Sequence, residues 1–399
     1  MARIAFVWEL GGGFGHLVRH RGLIKRLALQ GHRVVFHAVA EARARQVFAD
    51  LAVEVHPAPR GATRRPEVIS HPNSFAEVLW NSGYAEIESV AGRMAHWRRV
   101  FLAERPDVVI ADYAPSAVVA CHTLGLRCIA AGNGFYTPPR VCPLPPYRRV
   151  YDGRVERAAA SEQKLLGVFN LALRQLGLPG VSTVAEAIVP PETFLMTFPE
   201  FDPMGQARGP AAEYLGAWPN PGFGIGPAFG EHGRKLFCYL DVNKIPKALF
   251  PALASTDASI LLVVKGEKPE FLRSLENSNV NVISELANLT LAAQVCDAGL
   301  TSGSLNATAA LLLAGKPVLA IPANLEQYLN AARLERLGAG LSAPYAAPGN
   351  LDAKLGALLQ DHDLRRGAGR FARRHAALSR TAALEQMLSR LDLPSSCPD

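Results

Sequence analysis

The sequence predicts an α/β chain of two doubly wound, Rossmann-like domains, each built on a parallel sheet and facing each other across a cleft. Three observations carry this expectation. Short apolar runs alternate with segments of helical spacing near the N-terminus, and the same alternation starts afresh after residue 233. The stretch between them, DPMGQARGPAAEYLGAWPNPGFGIGPAFGEHG at 202–233, is dense in glycine and proline, as a connection would be. A length of 399 residues suits two domains or slightly more.

The elements follow in order. RIAFVW (3–8) is a strand-type run, a glycine loop occupies 11–15, and the next segment keeps helical spacing as far as Gly31, after which RVVFHAV (33–39) reads as a second strand. Strand, loop, helix and strand in that order imply a right-handed crossover and a parallel pair. The pattern recurs in PDVVIAD (106–112), a helix through AVVACHTLG (117–125), and the strand RCIAAGN (127–133). Residues 60–104 are polar and Arg-rich and carry Trp80, Tyr84 and Trp97, which suits helices and loops laid over the sheet. A proline-rich loop at 137–150 precedes a helical region at 151–188. In the second half KLFCYLD (235–241), SILLVVKG (259–266), VNVISE (280–285), DAGLTS (297–302) and KPVLAIP (316–322) read as strands with helices between them.

Composition narrows the function classes. At 49% hydrophobic and 19% charged, with 34 Gly and 29 Pro, the chain is neither disordered, collagenous nor coiled coil. The formal charge of +7 suits an anionic substrate or a membrane surface, but no Lys/Arg tract with interleaved aromatics points to nucleic acid. Cys121, Cys128, Cys142, Cys238, Cys296 and Cys397 are scattered and form no C-x-x-C pair, so reduced structural thiols in a cytoplasmic protein are expected. Nowhere do 18 apolar residues run together, and the glycine-broken N-terminus does not read as a signal peptide.

Ligands of such sheets bind beyond the carboxyl ends of the strands, so residues just after the strands deserve the closest reading. The loop Gly11-Gly12-Gly13-Phe14-Gly15-His16 can bring backbone N–H groups to a ligand at a helix N-terminus. A dinucleotide fingerprint would need a third glycine where His16 stands. His16 opens the first helix and Asp112 closes the strand PDVVIAD, so both project toward one edge if those strands are neighbours. An imidazole oriented by a carboxylate is the arrangement of a general base acting on a hydroxyl. His20 completes H-x-x-x-H, but no third ligand accompanies it and zinc is not expected.

In the second half, TSGSLNATAALLLAGKP (301–317) places the amides of Ser302, Gly303 and Ser304 at a helix N-terminus that suits a diphosphate; capping alone is the simpler reading. Pro322 ends the next strand, and Glu326-Gln327 follow where a carboxylate and an amide can bind sugar hydroxyls. Asp361-His362-Asp363 spells D-x-D, which a helix N-cap explains without a metal.

AGKPVLAIPANLEQYLNAARLERLGAG (314–340) resembles the donor-site block of the two-domain GT-B glycosyltransferases, which include macrolide and flavonoid glycosyltransferases and the lipid-linked N-acetylglucosaminyltransferase of peptidoglycan synthesis. Gly315 and Pro317 match its small-residue turn, Glu326-Gln327 its acidic-Gln pair, and Asn330-Ala331 and Gly338 the helix that follows. Gly15-His16 resembles the Gly-His carrying the acceptor-activating base, Asp112 its carboxylate partner, and 194–203 with Tyr214-Leu215-Gly216 the passage into the linker.

The resemblance implies inverting, metal-independent transfer from a UDP- or TDP-type nucleotide-diphosphate sugar, a co-substrate rather than a cofactor, to a small-molecule or lipid hydroxyl. Its implied donor contacts are Ser302, Gly303, Ser304, Leu305, Asn306, Glu326, Gln327 and Glu285, and Gly13, Phe14, Gly15, Trp80, Tyr84, Phe135 and Tyr136 would line the acceptor side. It also implies an acceptor domain at 1–215, a linker at 216–233, a donor domain at 234–375, and at 376–399 a helix returning to the first domain before a short tail.

The donor motif departs from the macrolide pattern. Ser302 stands at its His, Ser304 and Asn306 at two glycines and Ala310 at the ribose-binding Glu, while Glu285-Leu286-Ala287-Asn288 replaces Trp-x-Pro-Gln. Two other readings therefore stay open, a non-catalytic partner or binding module of this fold and a sugar-nucleotide 2-epimerase using Glu285 and Glu326. Arg98-Arg99, Arg148-Arg149 and the arginines of 365–374 add a peripheral membrane contact to the expectations.

Overall fold

The computed structural model describes residues 1–61, 68–148, 154–219, 222–231, 233–265, 272 and 279–394. Arg149 of one basic pair and Cys397 lie outside them. The chain divides into two compact units, residues 1–216 with 381–399, and residues 217–380.

The first unit holds six parallel strands, β1 (Arg3–Trp8), β2 (Arg33–Ala38), β3 (Glu54–Pro57), β4 (Val108–Asp112), β5 (Cys128–Gly132) and β6 (Glu192–Leu195), in the order β3-β2-β1-β4-β5-β6. β1 and β4 are hydrophobic almost throughout because helices cover both sheet faces. One core layer sets Ala5, Val7, Val109 and Ala111 against Trp97, Phe101 and the small residues Ala117 and Ala120. Beyond β1 the segment of helical spacing forms two pieces, α1 (Gly15–Val18) and α2 (Arg21–Leu29), with the break at Arg19 and His20. Gly31, at φ +77°, turns the chain into β2.

The last helix, Arg380–Leu391, belongs to this unit. Arg127 fixes its end, donating to the carbonyls of Leu391 at 2.6 Å and Arg390 at 2.7 Å, while pairing with Glu192 at 2.8 Å.

The second unit repeats the plan with β7 (Arg234–Asp241), β8 (Ala258–Lys265), β9 (Val280–Ile283), β10 (Ala298–Thr301), β11 (Val318–Ala320) and β12 (Gly340–Ser342), in the order β12-β11-β10-β7-β8-β9. Counted from its own first strand, this is the strand order of the first unit. Much of the Gly/Pro stretch is docked rather than free. Ile225 donates to Leu286 O and accepts from Asn288 N, both at 2.8 Å, and Gly230 N donates to Ser259 Oγ at 2.6 Å. Gly224, at φ +95°, makes this approach feasible, since a Cβ there would lie 2.5 Å from the Ala287 carbonyl carbon.

Strand order reverses between β1 and β4 in the first sheet and between β7 and β10 in the second. Such switch points open a crevice at the carboxyl ends of the strands. His16 and Asp112 flank the first, and Ser302–Asn306 follow the second.

Candidate functional site

At the first switch point Trp8 and Asp112 are register partners at the ends of β1 and β4. Gly11, at φ +87°, bends the chain away from the sheet, and its lack of a side chain is required. A Cβ there would stand 2.6 Å from His16 Nε2. Gly12 and Gly13 are under no such constraint, with nothing closer than 3.8 Å to a Cβ. Phe14 precedes the single turn of α1, and Arg43 packs over its ring at 5.4 Å. Gly15 O accepts from Arg19 Nε at 2.9 Å.

This turn drops His16 onto Asp112, with Nδ1 and Oδ1 2.8 Å apart. The other carboxylate oxygen is also taken: His20 Nε2 lies 2.7 Å from Oδ2, and Arg19 Nε stands 3.8 Å from the same atom. Burial opposes the charge on Asp112, but the interaction with His16, the charge of Arg19 and the hydrogen bonds from both imidazoles outweigh it and hold the carboxyl well below the usual carboxylate range. An ionised carboxylate only accepts, so both facing ring nitrogens carry protons. Burial pulls His20 down from its ordinary value, against the pull of Asp112, which favours the neutral imidazole. The His16 side chain keeps 11% of its surface exposed, against 2% for Asp112 and 1% for His20, so His16 alone of the three can be reached from outside.

Aromatic rings frame His16. Trp8 stacks on it at 5.1 Å, and Tyr136 and Tyr113 lie at 5.2 and 6.1 Å. The two tyrosines stack on each other at 4.7 Å, Tyr113 being held at φ +50° directly after Asp112. Tyr136 thus belongs to the group around His16, and Phe135 sits one step out, stacked on Tyr147 at 4.7 Å. Trp80 is half-buried in the turn Trp80–Tyr84.

Tyr84 is a correction. It is fully buried, with its hydroxyl 2.8 Å from Glu9 Oε2 and 2.8 Å from Ser116 Oγ, so it cannot line an open pocket. Glu9 also accepts from Trp97 Nε1 and from Ser116 N. Burial raises the Glu9 carboxyl, opposed by Arg93 and these hydrogen bonds. Neither Glu9 nor His20 stands out in sequence as part of this site, because one is a lone carboxylate after a strand and the other, though it completes H-x-x-x-H, has no third ligand beside it.

At the second switch point Ser304 occupies the N-cap of the helix Leu305–Leu313, yet its hydroxyl makes no capping bond. The first-turn amides, beginning with Leu305 and Asn306, therefore have no side-chain partner from the cap. Ser302 is buried. Gly303, at φ +78°, has its N–H occupied by Thr301 Oγ1 at 3.0 Å and its carbonyl by Asn330 Nδ2 at 3.0 Å. Its amide is therefore satisfied within the turn, which corrects the expectation that three successive amides are open to a ligand.

Gln327 comes to the same place. Its carbonyl would lie 3.1 Å from a Cβ on Gly303; at the start of the helix Leu325–Arg336, Gln327 N donates to the N-cap Asn324 Oδ1 at 3.1 Å and Gln327 Oε1 accepts from Ala323 N at 2.8 Å. Glu326 sits beside it in that first turn. Glu285 is not brought in. It is exposed after the edge strand β9, three strands from β10, or roughly 14 Å at the usual strand spacing.

Asp361 caps the helix His362–Arg374 through Asp363 N at 2.7 Å, so the D-x-D triplet serves the helix start. Among the described residues no group of three or more His, Cys, Asp or Glu could hold a metal ion, and no helix is long and apolar enough to cross a membrane. A cavity of about 500 Å³ lined by Arg234, Ser255, Thr256 and Asp257 lies at the amino ends of β7 and β8, the end of the sheet opposite the switch-point crevice.

Two parallel doubly wound sheets of identical strand order define the GT-B fold, and solved structures agree. The calicheamicin glycosyltransferase CalG4 superposes with a TM-score of 0.72 at 18% identity over 98% of both chains. The glycosyltransferase VinC in complex with DTDP gives 0.68 at 15% identity over 97% of this chain and 100% of that one. The spinosyn rhamnosyltransferase SpnG gives 0.64 at 19% identity over 98% and 100%. At these identities the likeness establishes the fold. No family model matches the chain. Among curated proteins, the TDP-daunosamine transferase DnrS of Streptomyces peucetius is 32% identical over 164 residues, 38% of this chain, and the chain spans only 37% of that relative's length.

Proposed function

We propose that the protein is an inverting glycosyltransferase that moves a sugar from a nucleotide-diphosphate sugar to a hydroxyl of a small-molecule acceptor. The observation that carries this reading is the reachable His16 held by the buried, ionised Asp112 at the switch point of the first sheet. With its proton on Nδ1, His16 keeps an unprotonated Nε2, and its side chain is the member of the group that stays partly exposed. It takes the acceptor proton as the oxygen attacks the sugar C1 in a single displacement, and Asp112 stabilises the imidazolium without itself being protonated.

Within the second unit, the diphosphate is assigned to the first-turn amides of Leu305 and Asn306 and the helix dipole, and the sugar hydroxyls to Glu326 and the Gln327 side-chain N–H groups. The 2-epimerase reading loses support, because Glu285 stands apart from Glu326 at the far edge of the sheet. The structures of VinC in complex with DTDP and of SpnG complexed with thymidine diphosphate make TDP-sugars the first donors to test.

The assay is sugar transfer from TDP- and UDP-sugars to a panel of hydroxylated aromatic acceptors, with nucleotide binding followed by calorimetry. His16→Ala is expected to abolish transfer and leave nucleotide affinity unchanged; normal turnover in that variant refutes the base assignment. No binding of any nucleotide sugar favours the non-catalytic partner or binding-module reading, which the replacement of the ribose-binding acid by Ala310 supports. A lipid acceptor has one supporting feature, the exposed outer face of the helix His362–Arg374 with Arg366, Arg370, Arg373 and Arg374, opposite the buried Leu364, Ala368 and Phe371.

A further inference from the structure

We propose that His20 is a positioning residue for this site: it holds the second oxygen of Asp112 so that the first stays aimed at His16. The inference rests on the reading of His16 as the base. With its side chain only 1% exposed, His20 cannot meet a substrate and can act only through its neighbours. Its ring is fixed from the sheet side by Phe6 of β1 at 5.5 Å and Phe36 of β2 at 6.4 Å. An imidazole in that apolar setting gives up hydration that a leucine would not, and what it gains is the 2.7 Å bond to Asp112 Oδ2. The charged and titratable groups facing it are Asp112 from β4 and Arg19 and His16 from its own segment.

The two imidazoles bind opposite oxygens, which fixes the plane of the carboxylate as well as its position. Without His20, Oδ2 is left to Arg19, whose Nε is 3.8 Å away and already donates to Gly15 O. A carboxylate that turns toward Arg19 carries Oδ1 off His16 Nδ1. The proton of His16 is then free to move to Nε2, and an Nε2–H imidazole cannot accept a proton from an acceptor hydroxyl. Arg19 and His20, between α1 and α2, keep right-handed helical backbone angles, so the two histidines four residues apart lie on one face and each takes one oxygen of the same carboxylate.

The test compares the wild-type chain with His20→Leu, His20→Gln and His20→Asn by ¹⁵N NMR of labelled histidines and by transfer kinetics. Gln carries an N–H donor near the place of imidazole Nε2, whereas Asn is too short to reach Oδ2. In the wild type His16 is expected as the Nδ1–H tautomer alone. In His20→Leu the two tautomers are expected to mix, with kcat down about ten- to a hundredfold, the scale on which outer partners of an imidazole act. The acid limb of the kcat–pH profile is expected to move, and KM for the donor to stay within about twofold. His20→Gln restores the single tautomer and most of kcat; His20→Asn does not. If His20→Leu fails to fold, the Gln and Asn variants make the comparison by themselves. A single Nδ1–H tautomer and wild-type kcat in His20→Leu, or equal behaviour of Gln and Asn, overturns the proposal. A wild-type protein that transfers no sugar refutes the glycosyltransferase reading instead, and the tautomer measurement still decides the role of His20.

Discussion

Replacing Gly11 with alanine perturbs His16 without touching its chemistry. The added Cβ would stand 2.6 Å from Nε2, where ordinary contact begins at 3.4 Å, so the ring has to retreat by about 1 Å, a displacement on the scale that costs a reaction roughly a hundredfold. Retreat in any direction other than toward Asp112 stretches a 2.8 Å hydrogen bond toward the limit at which it stops orienting the ring. The φ of +87° adds strain of about 1–2 kcal/mol for a side chain, of which about 0.4–1 kcal/mol is recovered because alanine has less freedom than glycine in the unfolded chain. The net loss of about 1 kcal/mol lowers Tm by roughly 2–4 °C for a unit of this size.

Kinetics of Gly11→Ala, His16→Ala and the double variant test this directly. Gly11→Ala is expected to lose about two orders of magnitude in kcat with nucleotide affinity unchanged, and the double variant to be no slower than His16→Ala alone. Gly11→Ala with wild-type kcat refutes the argument that this glycine keeps His16 in place. So does a double variant whose losses simply add.

Two further outcomes are expected. Acid should destabilise the fold in two steps. His20, neutral in the fold, takes up a proton on unfolding below its ordinary value of 6.5, so stability falls with pH from there; Asp112, held low, releases its share only below 3.8. Glu9, raised by burial, acts in the opposite sense above 4.5, so the informative measurement is a difference: Tm from pH 7 to 5 should fall less steeply in His20→Gln than in the wild type, and equal slopes refute a neutral buried His20. Arg127→Ala removes both clamps on the carbonyls of Leu391 and Arg390, so limited proteolysis should release the last helix sooner, with the remainder of the first unit equally resistant; unchanged cleavage refutes the clamp.

The buried strands were legible because their apolar runs need no context. RIAFVW matches β1 residue for residue, and the runs assigned to β4, β5, β7, β8, β10 and β11 fall on them within a few residues. The strands that sequence reasoning missed, β3, β6 and β12, are edge strands of three or four residues with sequences EVHP, ETFL and GLS. Half-solvated and short, they carry no periodicity distinct from a loop. The meeting of His16 and Asp112 followed from placing each at a strand end. That His20 reaches the same carboxylate is not legible: the H-x-x-x-H spacing sets both histidines on one helical face, but nothing in the sequence says that the second one also turns to Asp112. Tyr84 misled for a related reason: an aromatic in a polar stretch looks like a pocket wall until the buried Glu9 that binds its hydroxyl is seen.

Because the last helix completes the first unit, the second unit, 217–380, is in topological terms an insertion between residues 216 and 381. During synthesis the ribosome therefore emits all of the second unit before Arg127 can find its partners at 390 and 391. The inserted unit is the one that can finish folding first as a continuous piece of chain, while the unit carrying His16 and Asp112 waits with one side uncovered until its final segment emerges.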